Sequence, residues 1–409
     1  MLRSATPFPA EFDNIICSFM KKMWQEGWLD EYSSNHFLIK ALEGRLENFS
    51  CKEQFINNNN DSIYTVIDKE GFIDYKNFCI NFCTNLSARL HAMTYIFGEN
   101  TVKKFIINQL SAGKDKYNED FFFQALSEIE ILTFVHHGFK WKDIKYEPSI
   151  GPNGSNPEAY FIGDLYNIGT QNKVEVKVNI EVKTPSFPNL STHSEKYLIP
   201  TILLSDQGRK NIPNLCTENG IEFISPRVTK LVEFINSASK KFDYPKENEY
   251  NLLYINWAYC DFPSNAFLEA WSLLTNKYNG LLTCPEIAMN LPFREPVLQD
   301  AFKKITAVIV YTSSLEQLMF CDFRHVWQRN GAGCKFRMFV VDEKLRSLEF
   351  DNKSDLLFKI TGMKPDIPEQ ISALFACNSK THLESESNAN LSNILSNLIT
   401  DNALTQEKK

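Results

Sequence analysis

The chain has 409 residues, 43% of them hydrophobic and 23% charged, with a formal net charge of −7. That length accommodates about two or three domains, and the composition is that of packed globular cores, which excludes a disordered or fibrous chain. The acidic balance excludes a protein that holds nucleic acid by general basicity, so any such contact calls for a local basic surface, a metal ion or a partner subunit.

No apolar run reaches the roughly 18 residues of a membrane-spanning helix. The opening segment, MLRSATPFPAEFDNIICSF, lacks the continuous apolar stretch of a signal peptide. The ten cysteines are scattered. Cys79 and Cys83 stand closest, and no second pair or nearby His completes a zinc site around them. Reduced thiols and a cytoplasmic location are the expectation.

Residues 1–115 read as a helical N-terminal domain. Phe12, Ile15, Ile16, Phe19, Met20 and Met23 make a stripe at helical spacing, and Leu38, Ala41, Leu42 and Leu46 suggest a second helix. Residues 57–61, NNNND, read as a loop. Segments 78–97 and 102–110 read as further helices. No acids cluster here at metal-ligand spacing, so this part is expected to supply no catalytic group. Its apolar stripes suit packing on the rest of the chain, on a partner subunit or on a second copy in a homo-oligomer. Residues 111–120, SAGKDKYNED, form a polar linker in which Asn118 can cap the next helix.

From 121 the character changes, and 116–262 reads as an α/β (α+β) core. FFFQALSEIEILTFVHHGF predicts a helix over 121–137 with Gly138 as its cap. The turn-rich loop SIGPNGSNP occupies 149–157. Strands are predicted near 158–165 and 174–183. In the second, Val174, Val176, Val178, Ile180 and Val182 alternate with Glu175, Lys177, Asn179, Glu181 and Lys183, so each set takes one face. Pro185 ends it. A polar insertion follows with a short apolar strand at 201–204. A helix is predicted over 226–242 and a buried strand over 251–258, with Trp257 in the core. Residues 263–378 continue in mixed α/β form, with a helix at 266–276 and strands at 305–314 and 336–341. Residues 379–409 are polar and are expected to be largely disordered or weakly helical.

The strongest chemical signal is Glu181-Val-Lys183 at the end of the alternating strand. Residues two apart on a strand share a face, so a carboxylate and an ammonium stand side by side. The carboxylate suits a hard divalent cation, and the lysine can orient a water and offset phosphate charge. Glu175-Val-Lys177 is a second such triplet on the same strand. On such a face, ion pairing between neighbouring strands is the plain alternative. Position favours Glu181 and Lys183, which come last, just before a proline break. Glu158 begins the preceding strand after Pro157, and Glu128 and Glu130 lie in the helix before it.

These residues resemble those of the PD-(D/E)XK, or restriction-endonuclease-like, superfamily. The resemblance covers about residues 118–260. It rests on Glu128 in LSEIEILTFVHHGF, Glu158 in NPEAYF, and Glu181 with Lys183 in NIEVKTP. The superfamily core is a helix, three strands, a helix and a strand. The resemblance implies that Glu158 and Glu181 hold Mg²⁺, or Mn²⁺ in its place. Lys183 acts on the water, and Glu128 completes the metal site from the first helix. It also implies that the later helix flanks the site, with Lys230 and Lys241 on one side. Glu158 replaces the usual Asp, which leaves Asp164 as a rival ligand, and Glu130 rivals Glu128.

Weaker candidates have plainer readings. His136 and His137 close a helix, where the dipole favours a cationic ring. Asp322, Arg324 and His325 lack a partner set. Gly331 and Gly333 are too few for a phosphate cradle. Three functions follow as expectations: a metal-dependent DNA endonuclease, of the kind that serves in defence against foreign DNA; a degenerate nuclease fold acting as a binding or scaffold subunit; and a nuclease acting on RNA.

Overall fold

The computed structural model describes residues 2–45, 75–137, 140–167, 172–185, 196–198, 222–224, 228–257, 266–275, 280–289, 296–313, 336–341 and 352–361. Several features expected from the sequence lie outside these residues. They are the loop at 57–61, Gly138, the strand at 201–204, the group Asp322, Arg324 and His325, the pair Gly331 and Gly333, and the tail from 379.

The chain opens with helices α1 (Ser18–Gln25), α2 (Phe37–Leu42), α3 (Tyr75–Phe97) and α4 (Glu99–Phe105), and α4 runs on into a π-helical turn, Ile106–Leu110. The expected first stripe is only partly realised. Asn14 Oδ1 accepts from the Ile16 and Cys17 amides at 3.0 Å each, a local turn that competes with helix formation. The helix therefore starts at Ser18, and Ile15 is left 89% exposed while Phe19, Met20 and Met23 are buried. Gly98, at φ +82°, breaks what would be one long helix into α3 and α4. A π-turn leaves main-chain carbonyls out of the regular ladder. Tyr32 Oη donates to Ile106 O at 2.6 Å, and His36 Nε2 reaches Leu110 O at 2.9 Å, so buried side chains satisfy them.

Helix α5 (Glu119–His137) begins where Asn118 Oδ1 accepts from the Asp120 amide at 2.8 Å. Strands β1 (Trp141–Tyr146), β2 (Ala159–Asn167) and β3 (Asn172–Lys183) then form an antiparallel meander. A two-stranded parallel ribbon, β4 (Lys196–Leu198) with β5 (Glu222–Ile224), precedes α6 (Val228–Lys241). Strand β6 (Glu249–Asn256) returns parallel to β3. Next come α7 (Ala266–Thr275), α8 (Pro285–Met289) and α9 (Ala301–Lys304). Strand β7 (Ala307–Tyr311) pairs parallel to β6, β8 (Phe336–Val340) closes antiparallel to β7, and α10 (Asn352–Thr361) follows. The result is a mixed α/β fold on a six-stranded sheet ordered β1-β2-β3-β6-β7-β8.

Both faces of the sheet are covered. On one, Val176, Val178, Ile180, Leu252, Tyr254 and Ile309 join a hydrophobic cluster that runs without a break from Phe12 through α1 to α5. On the other, Leu253, Ile255, Val308 and Val310 meet Leu231 and Ile235 of α6 and Trp271 and Leu274 of α7. Strands covered on both faces are near-continuously apolar, as β6 and β7 are. Each fully buried aliphatic side chain contributes about 1.5–3 kcal/mol.

Strand β3 is the exception. Its partner β6 begins opposite Lys177, so residues 172–176 run past the parallel half of the sheet. There the polar face is open, and Glu175 is exposed. Beyond that point Asn179 and Glu181 are buried, although their alternation with valines reads as a solvated face. Asn179 Nδ2 donates to Glu249 Oε1 at 2.9 Å and to Asn251 Oδ1 at 2.7 Å.

Candidate functional site

Glu158 stands immediately before β2. Its carbonyl accepts from the Glu147 amide at 2.8 Å, which continues the β1–β2 ladder. The β2–β3 register pairs Ala159 with Ile180, so one step further sets Glu158 opposite Glu181. The two carboxylates meet because the hairpin register places them there. Glu181 is fully buried. Lys183 Nζ lies 2.5 Å and Lys241 Nζ 2.7 Å from Glu181 Oε1. Lys241 Nζ also reaches Glu158 Oε1 at 3.3 Å, so one ammonium joins the two acids. Glu181 Oε2 is buried and accepts no hydrogen bond.

Glu128 enters from α5 and is 7% exposed. Tyr146 Oη donates to its Oε1 at 2.7 Å. Burial, and then the Glu158 charge, hold the Glu128 carboxyl well above the usual carboxylate range. Burial, followed by repulsion from Glu181, pushes Glu158 up to about 7 against the pull of Lys241 and Lys183. Burial draws the Lys241 ammonium down, but Glu158 and Glu181 together outweigh it and leave it above its ordinary value. The three acids thus repel one another in a poorly solvated place, and two lysines relieve this.

Lys241 is delivered by the end of α6, which docks on the loop before β2. Ser155 Oγ donates to Lys240 O at 3.2 Å. A side chain at Gly151 would place its Cβ 2.0 Å from Lys241 O, so glycine is what allows the approach. The cleft has a volume of about 490 Å³. Glu128, Glu158, Lys183, Lys230 and Lys241 line it, together with Asn108, Gln109 and Gly113 from the segment ahead of α5. The N-terminal region, which sequence alone marks for packing, thereby forms a wall of the cleft.

The remaining candidates lie elsewhere. Glu130 is fully buried on another side of α5, where its Oε1 accepts from Ser313 Oγ at 3.1 Å. Burial pushes it up to about 7, with Arg89 and Ser313 pulling the other way. Asp164 sits opposite Glu175 far along β2, and Lys142 joins the two at 2.6 and 3.2 Å. Lys177 pairs with Glu249 at 2.8 Å. The Glu175 triplet is therefore an ion-paired strand face. His136 departs from the expected helix-end cation, because burial and then His137 lower its pKa. Trp257 is fully buried.

Two carboxylates on one ammonium, with a buried carboxylate oxygen that has no partner, provide the all-oxygen donors of a hard cation. Among the described residues, no group of three or more His, Cys, Asp or Glu side chains is arranged to hold an ion by itself. The residues fit a cation of the Mg²⁺ type, which takes one or two carboxylates and completes its shell with water and substrate phosphate. Glu158 and Glu181 would hold it, with Glu128 behind them.

No protein-family model matches the chain, and neither the curated proteins nor the solved structures contain a match. Among the described residues, no helix is long and apolar enough to cross a membrane.

Proposed function

We propose that this chain is a metal-dependent nuclease of the PD-(D/E)XK kind, acting in the cytoplasm on the phosphodiester bonds of DNA. The observation that carries this reading is the meeting of Glu158 with the buried Glu181 across the β2–β3 register, beside Lys183, where Glu158 and Lys183 line a cleft. The order helix, three antiparallel strands, helix, parallel strand supports it.

A Mg²⁺ or Mn²⁺ ion bound there would supply Lewis-acid stabilisation of phosphate charge and a more acidic water. The chain's own groups do the rest. Glu158 and Glu181 hold the carboxylate cluster at the strand ends. Lys183, held by Glu181, presents a positive charge to an attacking water and to the phosphate it approaches. Tyr146 orients Glu128 toward the cluster by its hydrogen bond. Burial of Glu128 and Glu181 lowers the local dielectric around the acids, which strengthens these interactions.

A second reading is a binding subunit built on a degenerate nuclease fold. The Lys241 ammonium favours it, since it already pairs with both acids. One experiment separates the two. Plasmid DNA is incubated with the protein and Mg²⁺ or Mn²⁺, with an RNA strand in parallel. Cleavage is expected in the wild type, to be abolished by Glu181→Gln and by Lys183→Ala, and retained in Glu175→Gln. Inert wild-type protein with both ions would favour the binding subunit. Cleavage confined to RNA would move the activity to that substrate.

A further inference from the structure

One wall of the cleft does not serve a cation. Phe121, in the first turn of α5, lines the cleft with 51% of its surface exposed. The same cleft is lined by the amides of Asn108 and Gln124, by the acids Glu128, Glu147 and Glu158, and by Lys183 and Lys230, whose ammonium groups pair with Glu181 and Glu233. An aromatic ring half exposed in a cleft of mostly polar residues is poorly placed for packing and well placed for stacking on a flat polar ligand. The backbone that carries this wall is strained. Ala112, Gly113 and Lys114 take consecutive left-handed conformations, at φ +50°, +94° and +54°. Glu147, on the same cleft, is at φ +43° and is tied to Gln109 by a 3.0 Å hydrogen bond. Such conformations cluster where a surface is shaped for a ligand.

Dimensions narrow the ligand. A cleft of about 490 Å³ admits something of small-molecule size. A nucleotide turned out of its stack has that size, whereas a duplex with its bases paired offers no π-face to a side chain. We propose that this wall receives an unpaired nucleotide of a single DNA strand. Phe121 stacks on the base, and Asn108 and Gln124 meet its hydrogen-bonding edge. Lys230, drawn from its exposed pairing with Glu233, meets a flanking phosphate. The inference rests on the nuclease reading for its placement beside the acids, and it names the substrate as single-stranded, or locally melted, DNA.

The test is binding, read separately from cleavage. A labelled DNA strand, the same strand in a blunt duplex, and the RNA strand of the same sequence are each titrated with full-length protein without divalent cation, by fluorescence anisotropy. The single DNA strand is expected to bind about tenfold more tightly than the duplex. Phe121→Ala is expected to weaken it about tenfold, as the loss of one stacking partner does, and Phe121→Trp to keep it. Because Phe121 is half exposed, both variants are expected to match the wild type in circular dichroism and Tm. Equal affinity for strand and duplex, or a Phe121→Ala protein that binds the strand like the wild type, would overturn the inference, and so would a clear preference for RNA. The same preparations are assayed on plasmid with Mg²⁺. Cleavage that needs Glu181 but ignores Phe121 leaves the nuclease reading standing and removes this wall from it. Phe121-dependent strand binding with no cleavage does the reverse.

Discussion

Glu158, at the cleft, and Glu181, buried behind it, face each other with the Lys241 ammonium between them, at the place proposed for a divalent cation. Removing a buried partner charge is costly because the other charge stays behind. Lys241→Met is expected to destabilise the protein by about 1–3 kcal/mol, less than the full cost of a buried pair because the lysine side chain is 28% exposed. Mg²⁺ should then raise the Tm of the variant more than that of the wild type, since the ion replaces the lost ammonium. Equal Mg²⁺ shifts in thermal denaturation would show that the acids do not share a cation. Glu130 allows a separate test. Its carboxyl, at about 7 in the fold against an ordinary 4.5, keeps its proton where the unfolded chain has released it. The native state binds more protons in that window, so this group's contribution to stability falls as pH rises from about 4.5 to about 7 and is flat above. Glu130→Gln should match the wild type at about pH 5 and exceed it at about pH 8, by roughly 1–3 kcal/mol in urea unfolding. A variant less stable at both would refute the assignment.

Helix α6 is positioned by its end. Its last carbonyl lies against Gly151, and its last side chain enters the cleft. Gly151→Ala would force the β1–β2 loop and α6 apart, since a Cβ cannot sit 2.0 Å from a carbonyl oxygen. The expected result is a fall in metal-dependent cleavage of about tenfold or more, together with a modest loss of Tm. The displacement is small, but it moves Lys241 relative to both acids. Unchanged kcat in Gly151→Ala would mean that the end of α6 has no bearing on the chemistry. The hairpin β2–β3 acts differently. It sets Glu158 against Glu181 through main-chain register, so side-chain changes along Asp164 and Glu175 leave that pairing in place.

The helices of the N-terminal region and the sheet share one core. Val176, Val178, Ile180, Leu252 and Tyr254 lie against that side of the molecule. A chain beginning at residue 116 keeps α5 on the sheet but strips the rings of Phe37, Phe82, Phe97 and Phe105 from Phe122, Tyr146 and Phe161, at about 1.5–3 kcal/mol for each large side chain uncovered, more than a marginally stable fold can absorb. Such a chain is expected to aggregate, or to lose cooperative unfolding by circular dichroism. A folded, soluble fragment that binds the single strand as the full chain does would contradict both the shared core and the role given to Asn108.

Local patterns determined much of this. The predicted helix over 121–137 is observed at Glu119–His137, and the strand over 174–183 at Asn172–Lys183. The helix over 226–242 is Val228–Lys241, and the strand over 251–258 is Glu249–Asn256. Period 3.6 and period 2 are properties of neighbouring residues, and caps such as Asn118 act within a turn. Glu158, Glu181, Lys183 and Glu128 are candidates on the same grounds. Tertiary structure decided what spacing could not. Glu128 and Glu130 point to different sides of one helix because two residues turn it by about 200°. Which side faces the strand ends depends on how α5 packs. The two Glu-x-Lys triplets are equivalent in sequence and differ because β6 begins opposite Lys177, which leaves Glu175 in water and Glu181 under α6. Lys241 reaches Glu158 from 83 residues away, and Gln109 reaches Glu147 from 38. Such contacts depend on how whole elements meet, and the free energy that selects them comes from burying two faces of one sheet.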